Sequence, residues 1–199
     1  SVDLRIGVDG CKQTAATLDA MGVPYYMSER NVGAYLMRNS LIALRPADHY
    51  AIFDADDIMV NGYLQTLVAL AGDGGIAGSA RKTINHLGRV IGNSIGRFHS
   101  GVCVISHKAW TAVGAYRPDR LASDVDLIAR AGLLRVQIRK TSLPLYMRRR
   151  HRHSLTQEKE TGIGSKARTD AVAAHRRLRM AGEVVVPLTT TALERRGAP

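Results

Sequence analysis

The sequence predicts an α/β protein with a central, mainly parallel β-sheet. Strand-length apolar runs alternate with helical segments over the first 72 residues, and acidic turns follow directly after the first and third of these strands. Such alternation is typical of parallel sheets, in which helices connect neighbouring strands. With 199 residues, 45% of them hydrophobic, the chain is long enough for one well-buried domain over residues 1–199.

Turn and cap signals divide the first part of the chain into five elements. Asp9-Gly10 ends the first strand, and Gly22 can end the first helix, in which Leu18 and Met21 lie three positions apart. The predicted elements are, in order, a strand over 3–8, a helix over 12–22, a strand over 23–29, a helix over 33–44 and a strand that ends at Asp54.

The second part of the chain is expected to contain further helices and strands. Ser123 has the side chain of a helix N-cap, and Gly132 is expected just past the end of the same helix. The predicted elements are a helix over 62–72, short strands within 76–106, a helix over 107–116, a helix over 123–132, one or two strands over 135–149 and a basic helix over 165–180.

The chain is strongly basic, with a net charge of +11 and an isoelectric point near 10.2. This balance favours polyanionic partners such as nucleic acid, phosphorylated ligands or an anionic membrane surface. Apolar runs are too short for a transmembrane helix, and the first residues lack the pattern of a secretory signal. Cys11 and Cys103 are too few for a disulfide framework, so we expect a reducing, cytoplasmic setting.

Three carboxylates, Asp54, Asp56 and Asp57, are concentrated directly after the third strand. Such a cluster is costly to bury without a partner, and hard carboxylate oxygens suit Mg²⁺ or Mn²⁺. A metal ion bound there can neutralise a diphosphate. The alternative for a short motif of this kind is a solvated loop in which one aspartate caps the next helix.

Further motifs flank this cluster. Asp9-Gly10 ends the first strand, and the acidic strand ends in Asp-x-Asp-Asp. Residues 100–132 follow as a Gly-rich strand, a turn and a helix opened by Asp124. The remaining matches are Asn31, Gly33, Arg38 and Asn39 before the acidic strand, and Arg149, His151 and Ser154 near the end. Together these segments resemble a family 2 glycosyltransferase.

The resemblance implies a Rossmann-like GT-A fold that binds a nucleoside-diphosphate sugar such as a UDP-sugar and transfers the sugar with inversion. It implies that Asp124 is the general base and that Mn²⁺ or Mg²⁺ is bound. The implied metal ligands are Asp56, Asp54 and His151. The implied donor-binding residues are Asp9, Asn31, Arg38, Asp54, Asp57 and Arg149, with Asp57 orienting the loop.

Residues 123–126 depart from the family pattern. Ser123 stands where the family has Glu, which removes a carboxylate beside Asp124. Asp126 is one candidate to compensate or to act as the base itself. The alternative, which we favour, is that Asp126 is an exposed first-turn residue stabilised by the helix dipole.

Relatives begin one strand earlier, whereas the tail of this chain contains an apolar run, Pro187 and a threonine cluster. We hypothesise a circular permutation in which residues 183–199 supply that first strand and helix start, with Pro187 and Thr189 contacting the nucleotide. This predicts that residues 184–186 pair in parallel beside residues 6–8. The alternative is an ordinary edge strand or a tail.

Two other functions compete with sugar transfer. Residues 92–96 match the G-x-S-x-G pattern, and Ser94, Asp124 and His151 have the chain order of an α/β-hydrolase triad, but no helical pattern follows Ser94. A non-catalytic module that binds nucleic acid through its basic segments is the other. Sugar transfer and nucleic-acid binding combine in one further hypothesis, an acceptor such as DNA with hydroxylated bases. This hypothesis rests on charge alone.

Overall fold

The computed structural model describes residues 1–95, 98–150 and 158–197. Its strands are β1 Gly7–Asp9, β2 Tyr25–Ser28, β3 His49–Ile52, β4 Ile58–Met59, β5 Gly75–Ile84, β6 Val90–Ser94, β7 Cys103–Ser106, β8 Gln137–Arg149 and β9 Glu194–Arg196. Its helices are α1 Lys12–Ala20, α2 Ala34–Ala43, α3 Tyr63–Ala71, α4 His107–Val113, α5 Ser123–Leu133 and α6 Lys166–Met180. The protein is therefore of mixed α/β class, as the alternating pattern predicts. In these ranges no helix is long and apolar enough to cross a membrane.

The strands form two sheets rather than the one mainly parallel sheet that was predicted. A three-stranded sheet has the order β1-β2-β9, and a larger sheet has the order β3-β7-β5-β8-β4, with β6 paired to β5. Among the described strands, only β1–β2 and β5–β8 pair in parallel. The prediction of a mainly parallel sheet is therefore wrong. A tight turn joins β5 to β6 and forces them to pair antiparallel. In addition, β7 lies between β3 and β5 and is antiparallel to both.

The centre of the larger sheet, formed by β7 and the first part of β5, is buried on both faces. Along β7, Cys103 and Ile105 belong to a core shared with α4 and α5, whereas Val104 belongs to a second core beneath α3. Residues Ile76 and Ala77 of β5 divide between the two cores in the same way. Successive strand side chains point to opposite faces, so a strand covered on both sides is apolar throughout.

The C-terminal tail does not supply the predicted permuted strand. Val186 forms a parallel bridge with Gly114, and the backbone N–H of Thr191 donates to Ser40 Oγ at 2.8 Å. β9 then pairs antiparallel with β2 rather than beside β1. The predicted pairing of residues 184–186 with residues 6–8 is wrong, and the reason is local. A Cβ on Gly114 (φ +78°) would lie 2.2 Å from the Val186 carbonyl oxygen, so the absence of a side chain at this position allows the tail backbone to pack here.

The predicted range of the basic helix is confirmed by α6, whereas the helix ends predicted at Ser123 and Gly132 are wrong. Ser165 Oγ caps α6 by accepting from the N–H of Arg168 at 3.3 Å. At α5 the N-cap is Ala122, in a left-handed conformation, and Ser123 is the buried first residue of the helix. Gly132 lies inside α5, which ends at Leu133.

A buried ionic network joins α5 to α6. Asp126 is fully buried, and it accepts hydrogen bonds from Arg117 Nε at 3.1 Å, from Arg130 Nε at 2.7 Å and from the guanidinium of Arg179. Arg130 also donates to the carbonyl oxygen of Val113, the last residue of α4, and to that of Ala115. The interpretation of Asp126 as an exposed first-turn residue is therefore wrong. Its carboxylate is occupied by cations and is not available as a base.

Candidate functional site

The acidic turn is held in place by the strands on either side of it. The N–H of Asp57 donates to the carbonyl oxygen of Asp54 at 3.2 Å, which closes the turn. The N–H of Arg149, the last residue of β8, donates to Asp57 Oδ1 at 2.9 Å. Phe53 anchors the start of the turn, with its ring 5.4 Å from that of Tyr63. The carboxylates thus sit at a defined place beyond the end of β3.

Asp124 of α5 comes to the same place. A Cβ built on Gly101 would lie 3.7 Å from Asp124 Oδ2 and 3.9 Å from Asp54 Oδ2, so the two carboxylates approach the same glycine. Asp124 accepts a hydrogen bond from Tyr35 at Oδ1 and one from Ser100 at Oδ2, each at 2.5 Å. The structure therefore joins the predicted base to the predicted metal-binding turn.

The charges of the carboxylates act on one another. Burial raises the pKa of Asp54; the Arg38 charge opposes this, and the charges of Asp56 and Asp124 add to the rise. Burial likewise raises the pKa of Asp57 to about 6, against the hydrogen bond from the Arg149 N–H and with the help of the Asp56 and Asp54 charges. A cluster of this kind attracts a compensating cation.

Arg38 of α2 is one such cation. Its guanidinium pairs with Asp54 Oδ1 and lies 5.5 Å and 5.9 Å from the ring centroids of Tyr35 and Tyr116. The two aromatic rings and the carboxylate together fix the guanidinium. Arg38 was predicted to bind the donor, and the structure places it against the acidic turn.

Two further arginines stand at the end of β8. Arg149 Nε donates to the carbonyl oxygen of Asp56 at 3.2 Å, and its Nη1 donates to that of His86 at 3.4 Å. Arg148 acts on the acidic turn electrostatically, because its charge lowers the pKa values of Asp54 and Asp57 against the larger effect of burial. The positive charge of this strand end therefore adjoins the acidic turn.

Four residues of the site were not singled out from the sequence: Tyr35, Ser100, Gly101 and Arg148. A tyrosine on a helix or a serine before a strand has no distinctive spacing. Gly101 and Arg148 lie within segments of the motif matches, but nothing local distinguishes them from the neighbouring glycines and arginines. Only the contacts with Asp124 and the acidic turn identify these residues.

Other predicted donor-binding residues belong to or contact the segment before α2, or belong to the tail. Asp9 uses both carboxylate oxygens within the protein, accepting from the N–H groups of Val32 at 2.6 Å and Gly33 at 2.9 Å. Asn31 belongs to the same segment before α2. Pro187 and Thr189 are exposed on the tail, between Val186 on Gly114 and Thr191 on Ser40. His151, predicted as a metal ligand, and Ser154 lie outside the described residues.

The residues present fit a divalent cation that is shared with a substrate. Across the described ranges, no three His, Cys, Asp or Glu side chains lie together as a metal site. Mg²⁺, however, is commonly held by one or two carboxylates together with substrate phosphates and water. Asp56 and Asp54 can supply those carboxylates. Burial, and after it the charges of Asp56 and Asp124, raise the pKa of Asp54, and a bound cation would oppose both effects.

The hydrolase interpretation gains no support from the surroundings of Ser94. Ser94 ends β6, and its hydroxyl lies 3.1 Å from the Nε2 atom of His99. A nucleophile elbow requires a helix directly after the serine. In the part of the chain that is described, the next element is β7. The absence of a helical pattern after Ser94 agrees with this arrangement in the described residues.

Comparison with known proteins gives no function for this chain, so its function has to be inferred from the site. No protein-family model matches this chain, and no curated protein matches it either. The arrangement that remains is a carboxylate oriented by two hydroxyl groups, facing an acidic turn flanked by arginines. It combines a proton acceptor with groups that can bind a cation and a diphosphate.

Proposed function

We propose that this chain is a metal-dependent glycosyltransferase of the GT-A type, which moves a sugar from a nucleoside-diphosphate donor to an acceptor hydroxyl with inversion. The observation that carries the proposal is the approach of Asp124 and Asp54 to the same glycine, Gly101. An inverting transfer needs a base on the acceptor side and diphosphate-binding groups on the donor side of one cavity. The resemblance of the motifs to family 2 glycosyltransferases supports the same conclusion.

Asp124 is the residue proposed to accept the proton. Each of its oxygens receives one hydroxyl hydrogen bond, from Tyr35 or Ser100, and a carboxylate oxygen can accept a second. An acceptor hydroxyl can therefore donate to the remaining lone pair. As the acceptor oxygen attacks the anomeric carbon, the proton passes to Asp124 and the bond to the diphosphate breaks.

The donor side is proposed to lie at the acidic turn. A divalent cation held by Asp56 and Asp54 would neutralise the negative charge of the diphosphate. Arg38 orients the Asp54 carboxylate through its ion pair, and Arg148 adds positive charge beside the turn. Asp57 holds the turn against β8 through the Arg149 N–H.

The proposal is tested by nucleotide release from a panel of nucleoside-diphosphate sugars with Mn²⁺. We expect metal-dependent release by the wild type and a loss of at least about a hundredfold in Asp56→Ala and Asp124→Asn. Asp73→Asn, which changes an exposed aspartate between α3 and β5, is the matched control and should retain full activity. Release that persists in a chelator, or that is unchanged in Asp124→Asn, would contradict the proposal.

A further inference from the structure

The hairpin formed by β5 and β6 exposes aliphatic side chains to solvent. Leu87 in the turn is 63% exposed, Val90 and Ile91 on β6 are each 53% exposed, and Ile95 beyond β6 is 72% exposed. β6 pairs only with β5 in the described residues. We call residues 81–95 the basic hairpin. Several large aliphatic side chains on one projecting element indicate an interaction surface.

The basic hairpin contains only positive charges. No Asp or Glu occurs between Asp73 and Asp119 in the sequence, whereas the hairpin contains Arg81, Lys82 and Arg89. The adjacent strand adds further cations, because Arg148 and Arg149 of β8 pair with the last residues of β5. The charges of the hairpin itself and of the adjacent end of β8 are therefore all positive.

The basic hairpin also adjoins the acidic turn. Arg149 bridges the two, with Nη1 bonded to the carbonyl oxygen of His86 in the hairpin turn and Nε bonded to that of Asp56. The hydrogen bonds of Leu87 N–H and Arg89 N–H to Asn85 Oδ1, both at 3.0 Å, fix the turn. The exposed aliphatic residues thus lie on a hydrogen-bonded hairpin beside the candidate site.

We infer that the basic hairpin docks the protein on an anionic lipid surface. Aliphatic side chains enter the boundary between headgroups and acyl chains, while the surrounding Lys and Arg side chains bind anionic headgroups. A second copy of the chain would bring two hairpins of the same positive sign together, which is unfavourable. Nucleic acid would use the cations but not the aliphatic groups, and residues 81–95 contain no Phe, Tyr or Trp side chain for base stacking.

The inference is tested with the full chain by co-sedimentation with two kinds of vesicle. One kind is phosphatidylcholine alone, and the other is an equal mixture of phosphatidylcholine and phosphatidylglycerol. We expect binding to the mixed vesicles that weakens with salt, and little binding to phosphatidylcholine. Ile91→Ser is expected to reduce the partition coefficient roughly tenfold, and Arg89→Glu at least about fivefold.

The control for charge is Lys166→Glu, because Lys166 lies on α6 with 90% of its side chain exposed. It changes the net charge as Arg89→Glu does and should bind mixed vesicles nearly as the wild type does. Equal losses in Arg89→Glu and Lys166→Glu would show attraction by net charge alone and overturn the inference. So would unchanged binding in Ile91→Ser, or tight binding of duplex DNA without any binding to mixed vesicles. None of these measurements depends on sugar transfer.

Discussion

Asp126→Asn should destabilise the protein strongly, although the residue lies only two positions from the proposed base. The Asp126 side chain is fully buried and accepts hydrogen bonds from three arginines, Arg117, Arg130 and Arg179. Asparagine removes the negative charge and turns an N–H₂ group toward a guanidinium. Arg130, which is also fully buried, then loses the only carboxylate that it contacts among the described residues.

The expected loss is about 3–5 kcal/mol, the usual cost of breaking a buried ion pair from one side. For a protein of 199 residues this lowers the melting temperature by roughly 6–20 °C. Asp124→Asn is the matched control, because it changes the same chemical group on the same helix turn. One of the two hydroxyl groups, Tyr35 or Ser100, can still donate to the amide oxygen, and the other can accept from the N–H₂ group, so this variant should lose only about 1 kcal/mol.

Urea unfolding followed by circular dichroism measures both variants. A loss of stability below about 1 kcal/mol in Asp126→Asn would mean that the arginines do not need this carboxylate. The activity assay gives the opposite order, with Asp124→Asn inactive and folded Asp126→Asn retaining transfer. Activity lost only in Asp126→Asn would make Asp126 the base.

The pH dependence follows from the pKa of Asp126. Burial alone would raise this pKa, but the hydrogen bonds from Arg130 and Arg179 and the charge of Arg117 lower it below the ordinary value. Its contribution to stability is therefore present above pH of about 4 and is lost as the pH falls further. The stability difference between wild type and Asp126→Asn should narrow below that pH. Asp57 has a raised pKa, which favours the folded state at low pH. Because Asp57 is present in both proteins, its contribution drops out of the stability difference between them.

Three other substitutions test the site and the fold. Gly101→Ala places a methyl group 3.7 Å from Asp124 Oδ2, so we expect a folded protein with at least tenfold weaker transfer. The control is Gly92→Ala, whose methyl group meets nothing within 4 Å and which should keep its activity. Equal activity of the two variants would contradict the expected effect at Gly101. Tyr35→Phe removes one hydrogen bond to Asp124 and should lower turnover about tenfold with little change in melting temperature. Burial and the Asp124 charge raise the Tyr35 pKa, so the phenol stays protonated between roughly pH 6 and 8. The loss of turnover in Tyr35→Phe should therefore be the same across that range. Ser165→Ala removes the N-cap of α6 and should cost about 1 kcal/mol in urea unfolding.

Local signals in the sequence determined the elements and the position of the acidic turn. Gly22 and Ser165 mark helix ends through their own backbone or side-chain preferences, and the run before Asp54 is apolar because β3 lies beside a buried strand. These features depend on residues a few positions apart. They could therefore be predicted without knowing which elements become neighbours.

Which elements become neighbours was decided by the tertiary structure. Asp124 and Asp126 share the first turn of α5 and have the same chemistry, yet one faces Gly101 and the other faces Arg179 of α6. The buried stripe of α5 includes serine, aspartate and arginine, so hydrophobic spacing could not reveal it. The tail likewise pairs with Gly114 and β2 because those partners offer a close backbone approach and a free strand edge. Contacts between residues distant in sequence depend on packing and charge compensation in three dimensions, which no local pattern encodes.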